Sequence, residues 1–341
     1  MRTTQLSRVG VVVYDLDATQ REYERIYGIT QWREQEVHTQ DAVSYGRRTV
    51  ETPGVWKSAV GTVYPEGNNG TPITFEIIQP ISGESPFHEH LRTKREGICF
   101  VQICAQGKVD VRKHFEDLGI SRIYSVTVDG QHRDFYDTRS HLGGFLVEMI
   151  VGEPTRVGFP DGQGEGFLPV DGVHHFGVIV HNVLESVEWY RAIFGIERFE
   201  CKTWESGEGR LDNSQYRGES VKHGYFTAQG KAEDFAFEII ECSHGPSHYN
   251  REFFDIRGPG IHHIFAWMST DQQEYDDVVH AMTDAGHPIC MGSPLRGHAA
   301  EFSYVDTFNS LGGYLIELVV RRSTPNPAYG PDWIIDFKEL V

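Results

Sequence analysis

The stretch RVGVVVYDLDATQREYERIYGI at residues 8–29 returns in altered form as HFGVIVHNVLESVEWYRAIFGI at residues 175–196. Both read as a hydrophobic strand, a polar cap, an amphipathic helix and a glycine stop. Further pairs follow in the same order. ITFEIIQP (73–80) matches FAFEIIEC (235–242), and GICFVQICAQGKVDVRKHFEDLGI (97–120) matches GIHHIFAWMSTDQQEYDDVVHAMTDAG (260–286). YDTRSHLGGFLVEMIVG (136–152) then matches VDTFNSLGGYLIELVVR (305–321). Matched positions are Arg8 with His175, Glu76 with Glu238, Phe100 with His263 and Glu148 with Glu317, each pair 162–169 residues apart. Near-constant spacing with a drift of a few residues is what a duplication leaves after loop insertions.

Each half contains two units of one strand, one helix and several strands. The expected fold is α+β, with four tandem βαβββ modules forming two half-barrel domains at 1–152 and 172–322. The Gly- and Pro-rich stretch 153–171 reads as a linker. Residues 323–341 read as a tail, Pro-rich and then amphipathic, that packs on the body or on a second subunit. In the second copy, Asn182 with Glu185 predicts a capping box. Val187, Tyr190 and Phe194 share one helical face ahead of Gly195. The first copy repeats this with Asp17, Tyr23, Ile26 and Gly28.

A chain of 341 residues with 39% hydrophobic side chains can fill two cores of this kind. It has no run of 18 apolar residues, so no membrane span is expected. The opening MRTTQLSRVGVVVYDL lacks the basic head, apolar middle and cleavage site of an export signal, which predicts a cytoplasmic protein. A formal net charge of −18 argues against nucleic acid as a partner, since phosphates need clustered Lys and Arg. Cys99, Cys104, Cys201, Cys242 and Cys290 are odd in number and lack a CxxC pairing, as reduced thiols would be.

Two histidine pairs stand out against this background, in GVHHFGVIVHN (172–182) and GIHHIFAWMST (260–270). Each pair heads a hydrophobic strand, and strand alternation lets only one member point inward. His175 and His263 are the expected inward members, while His174 and His262 read as structural or surface residues. His132, His141, His223, His244, His248 and His287 lie in loops or polar segments, where solvation is expected. The polar stretches 206–224 and 243–255 read as loops over a pocket or as plain surface.

With these residues in hand, the chain resembles the vicinal oxygen chelate superfamily of glyoxalase I, methylmalonyl-CoA epimerase, extradiol dioxygenases and bleomycin resistance proteins. HHFGVIVHNVLESVEWYRAIFGI is similar to the opening strand and helix of that fold, and GGYLIEL to its closing strand. The stretch FEIIQPISGESPFHEHLRTKREGICF (75–100) resembles the epimerase branch. The resemblance implies one divalent metal, Fe²⁺, Mn²⁺, Co²⁺, Ni²⁺ or Zn²⁺, held by His175, His263 and Glu317, with Glu238 at the fourth position.

In the first half Arg8 and Phe100 replace the two histidines, and neither can complete an imidazole–carboxylate site. That half is expected to serve as a scaffold, a substrate wall or a dimerisation element. A small-molecule substrate is the implied partner, and a homodimer is compatible with the architecture.

The resemblance implies a substrate with adjacent oxygens or an acidic C–H beside a carbonyl. If Glu238 ligates or acts as general base, isomerase, epimerase or lyase chemistry follows. If it stands back, His₂Glu is the facial triad of an Fe²⁺ extradiol dioxygenase. His298 and Tyr304 are the acid/base candidates for that alternative. A metal-free, ligand-sequestering protein of the resistance type is the third reading.

Overall fold

The computed structural model describes residues 4–39, 43–44, 52–65, 70–207, 209–324 and 330–339. The described residues form two mixed sheets, nine strands from the first half and eleven from the second. At the centre of the first, strands Ile73–Ser82, Thr4–Val12, Gly97–Ala105 and Leu146–Val151 lie side by side. The second repeats the order with Ala236–His244, His175–Ile179, Gly260–Ser269 and Leu315–Arg321. In both, the outer pairings of these four strands are parallel and the middle one antiparallel. The duplication thus fixes four equivalent positions on neighbouring strands of each sheet.

Local chemistry sets the helices that follow the opening strands. Asn182 accepts from the Glu185 backbone N–H, and Gly195 ends helix Val183–Phe194 in the left-handed conformation, φ 74°. In the first copy the cap is Asp15, which accepts from Ala18 N–H, and Asp17 sits in the first turn instead. An Asp one residue after the start cannot fold back to that N–H but does favour the helix N-terminus electrostatically.

The two halves share one core. The Tyr23 hydroxyl of the first helix donates to the Leu311 carbonyl, and Tyr27 meets the Tyr314 hydroxyl. From the other side, Tyr190 donates to the Leu142 carbonyl. Each half's helix therefore packs on the closing turn of the other half. The tail strand Trp333–Asp336 pairs antiparallel with Arg198–Cys201, so the tail packs on the body. No helix among the described residues is long and apolar enough to cross a membrane, and all five cysteines are free.

One glycine per half admits a ring over the sheet centre. Gly10 pairs with Glu76 and Phe100, and Gly177 pairs with Glu238 and His263. A Cβ on Gly10 would lie 1.8 Å from Phe100 Cε1, and one on Gly177 would lie 1.8 Å from His263 Cε1. Both rings lie flat over bare backbone, which no other residue allows.

Candidate metal centre

His175, Glu238 and His263 offer donor atoms that all lie within 4.8 Å of one another. The two Nε2 atoms are 3.2 Å apart. Glu238 Oε2 is 3.6 Å from each of them. Glu317 Oε2 comes closer, 2.9 Å from His175 Nε2 and 3.4 Å from His263 Nε2. The compact trio thus holds Glu238, whereas the shortest approaches to the imidazoles come from Glu317, and both carboxylates belong to the cluster. All four side chains are at most 15% exposed.

Burial without a cation drives these groups toward neutrality. It pushes Glu238 up to about 7 against the pull of His175, and Glu317 up to about 8. It pulls His175 down to about 4, and His263 well below the usual imidazole range. Two neutral imidazoles are ready ligands, and two buried carboxylates lack the positive charge that would offset their desolvation. Glu317 Oε2 is buried without a hydrogen-bond partner. Donors about 2.1 Å from one metal lie about 3.0–3.4 Å apart, close to the observed 2.9–3.6 Å. The residues present fit a divalent ion, with no thiolate among them.

The outer partners of the two imidazoles fix their orientation. The Gln229 amide stands 3.1 Å from His175 Nδ1. With its oxygen turned inward it would accept the Nδ1–H that a ligating Nε2 requires. His263 Nδ1 lies 3.0 Å from His262 Nδ1, and His262 Nε2 lies 2.9 Å from His248 Nδ1. His248 Nε2 is 3.7 Å from the Glu252 carboxylate, which Arg217 and the Tyr216 hydroxyl also hold. One set of protons satisfies the two imidazole–imidazole links, His263 donating to His262 and His262 to His248, whose Nε2 has no hydrogen-bond partner among the described residues.

His262 corrects the expectation from alternation. It is fully buried, because the pairing with the opening strand slips there. Gly177 opposes His263 and Val178 opposes Ile261, so His262 is the extra residue of a β-bulge. His174 keeps the outward position and bonds Asp171 at 2.7 Å. His248 and His223 are also buried, at 0% and 1% exposure, and His287 at 7%, contrary to the solvated reading. His248 precedes a π-helix, Tyr249–Phe254, that turns the 243–255 segment inward.

Tyr304, opposite Glu317 in the neighbouring strand, lies with its ring 4.7 Å from that of His263. Its hydroxyl bonds that of Tyr249. Tyr225 packs edge-on against Tyr249 at 5.1 Å and extends this aromatic wall. His298 does not join the cluster. It is exposed at φ 65° on the turn before the strand Ala300–Val305, where its backbone N–H meets Asp212. Spacing along the chain could not show that the turn carries its imidazole outward.

Residues 174–304 match the model of the Glyoxalase/Bleomycin resistance protein/Dioxygenase superfamily, a span that takes in His175, Glu238 and His263. No curated protein matches the sequence. Among solved structures, a triple mutant of 4-hydroxymandelate synthase from Streptomyces coelicolor superposes with a TM-score of 0.62 at 13% identity. That match covers 96% of this chain and 95% of the synthase. The 2,3-dioxygenase LapB from Pseudomonas sp. KL28 gives 0.53 at 15% identity over 97% of both chains. The glyoxalase/dioxygenase fold therefore extends over both halves.

Proposed function

We propose that this chain, which belongs to the glyoxalase/bleomycin resistance protein/dioxygenase superfamily, is an iron(II) dioxygenase whose substrate presents two adjacent oxygens. The observation that carries this reading is the set formed by His175, His263 and Glu317, the closest donors in the cluster, with Glu238 farther back at 3.6 Å. Two imidazoles and one carboxylate on one side leave positions free for substrate and O₂. Full-length likeness to a 2,3-dioxygenase and to 4-hydroxymandelate synthase supports the same choice over isomerase or lyase chemistry.

An iron(II) ion there supplies a Lewis acid for vicinal oxygens and electrons for O₂. The chain's own residues do the rest. His262 accepts from His263 in the tautomer that frees His263 Nε2, and Gln229 does the same for His175 when its amide oxygen faces Nδ1. The Tyr304–Tyr249 hydroxyl pair sits beside His263. Burial raises both phenols well above their ordinary range, so they remain neutral donors to a substrate oxygen. Trp204, Tyr225 and Phe302 belong to the buried aromatic cluster that keeps water from the site.

Glu238 supports a second reading. A carboxylate at the edge of the cluster can take a carbon-bound proton from a chelated carbonyl substrate. Metal analysis followed by oxygen uptake with catechols separates the two. Stoichiometric O₂ uptake by the iron-loaded protein, abolished in Glu317→Ala, is expected. Deuterium exchange into carbonyl substrates without O₂ uptake, lost in Glu238→Gln, would favour the isomerase or lyase reading. Failure of the purified protein to take up any divalent metal would leave only the ligand-sequestering reading.

A further inference from the structure

Lys94 and Arg257 are equivalent by the duplication, 163 residues apart, and each ends a helix at the seam between the halves. The residue after each takes nearly the same backbone conformation, Arg95 at φ 64° and ψ −155° and Gly258 at φ 70° and ψ −157°. Few non-glycine residues adopt it, so the turn at Arg95 is held by its surroundings. Each turn sends its cation across to the other half. Lys94 Nζ donates to the Pro259 carbonyl at 3.2 Å, and Arg257 Nη1 donates to the equivalent carbonyl of Glu96 at 2.5 Å. Closing-turn glycines admit both carbonyls. A Cβ on Gly144 would lie 2.3 Å from Pro259 O, and one on Gly313 would lie 2.2 Å from Glu96 O.

A cavity of about 20 Å³ lies where these equivalent residues face each other, lined by both cations, Gly97 and His90. Carbonyls satisfy N–H groups there but bring no negative charge. The Glu96 carboxylate is near enough to favour the charge on Arg257, yet it accepts from the Tyr14 backbone N–H at 2.8 Å. Arg139, the next cation, is engaged by Asp137 and Glu89. Burial, Arg257 and Arg139 pull Lys94 below the ordinary ammonium range, and burial with all three of these charges holds the His90 imidazole down to about 3. Two nitrogens stay unsatisfied, since His90 Nε2 and Arg257 Nε are buried without a hydrogen-bond partner. His90 Nε2 and Arg257 Nη1 would lie 3.0 and 3.6 Å from a Cβ on Gly97, so they converge on the space that this glycine leaves bare. Buried positive charge without a carboxylate, beside such a space, is what an anion relieves. One water needs about 10–15 Å³ of such room, so the cavity suits a monatomic ion and is too small for phosphate or a carboxylate.

We propose that Lys94, Arg257 and His90 bind a halide of chloride's size in this cavity, and that the ion locks the two halves of the chain together. None of the three side chains belongs to the metal cluster, so the proposal does not depend on the reaction carried out there.

The test is thermal unfolding of the metal-loaded protein at constant ionic strength, with chloride exchanged for gluconate, which is too large for the cavity. Chloride should raise Tm saturably by about 2–4 °C, and bromide should do the same. Lys94→Met removes one charge, keeps the apolar stem and should lose most of the rise. Gly97→Ala keeps every charge, puts a methyl group into the space and should lose it too. Crystals grown in bromide should show anomalous bromine scattering between Lys94, Arg257 and His90. A wild type with the same Tm in both salts overturns the proposal and leaves only water in the cavity. A full chloride rise in either variant, or bromide found only elsewhere, overturns it as well. If Lys94→Met fails to fold, Gly97→Ala and the bromide position decide.

Discussion

Glu76 and Glu238 occupy equivalent places in the two sheets, and their carboxyl groups are driven in opposite directions. Burial raises both, but at Glu76 the guanidinium groups of Arg133 and Arg8 outweigh it and bring the carboxyl down to about 2. Arg133 binds both Glu76 oxygens at 2.9 and 3.0 Å and both Glu148 oxygens at 2.9 and 2.8 Å. Arg8 adds a bond of 2.7 Å to Glu76. The first half thus carries its own cation between the two carboxylates that correspond to Glu238 and Glu317. Arg133 comes from the position of Phe302 in the second half, two residues before the partner of the closing glutamate. Phe100, lying where His263 lies, offers its ring 5.3 Å from the same guanidinium. One half neutralises its buried carboxylates with arginine side chains of its own, whereas Glu238 and Glu317 face two imidazoles that a divalent ion would bridge.

The contrast can be broken most directly at Arg133. Arg133→Met strands two buried carboxylates and should cost about 3–5 kcal/mol in urea unfolding. A loss below about 1 kcal/mol would mean that the guanidinium is not what neutralises them. Acid titration should show the next largest effect. Glu76 is depressed in the fold, so its contribution is complete above the ordinary value of 4.5 and is lost as pH falls to about 2. That amounts to about 3 kcal/mol.

The second half has the opposite sign. Glu238 and Glu317 are raised, so in metal-free protein their contribution is complete below 4.5 and is lost as pH rises through about 7 and 8. Bound metal should abolish this alkaline loss, and unfolding profiles that are identical with and without metal would refute the contrast.

Metal affinity sharpens the comparison further. His263→Ala should weaken binding by more than about 100-fold, beyond the effect of an outer partner. Phe100→Ala, the equivalent change in the first half, should leave the metal content unaltered. His262→Phe keeps the bulge filled but removes the partner of His263 Nδ1, and about 10–100-fold is the expected loss. Calorimetry that finds His262→Phe equal to wild type would reduce the histidine chain to packing.

Much of the site is legible along the chain because it follows periodic rules. Alternation and duplication place His175, His263, Glu238 and Glu317 on equivalent strands, and the structure brings all four together. His262 defeats alternation because a bulge shifts the pairing by one residue. His248 and Tyr249 sit in a segment without period, where only the turn taken by the backbone decides whether a side chain faces protein or water. His298 illustrates the converse, since its place in the sequence suggested the site and its turn carries it outward.

The sequence by itself determined the α+β class, the duplication and the four positions that converge in each half, because strand period and repeat spacing are local and additive along the chain. Only the packed strands show that the first half meets its buried carboxylates with Arg133 and the second with imidazoles. Arg133 reaches Glu76 across 57 residues of sequence, and no periodicity records which strand will be its neighbour. The same holds for the bulge at His262, whose place comes from register, which exists only once distant strands are packed together.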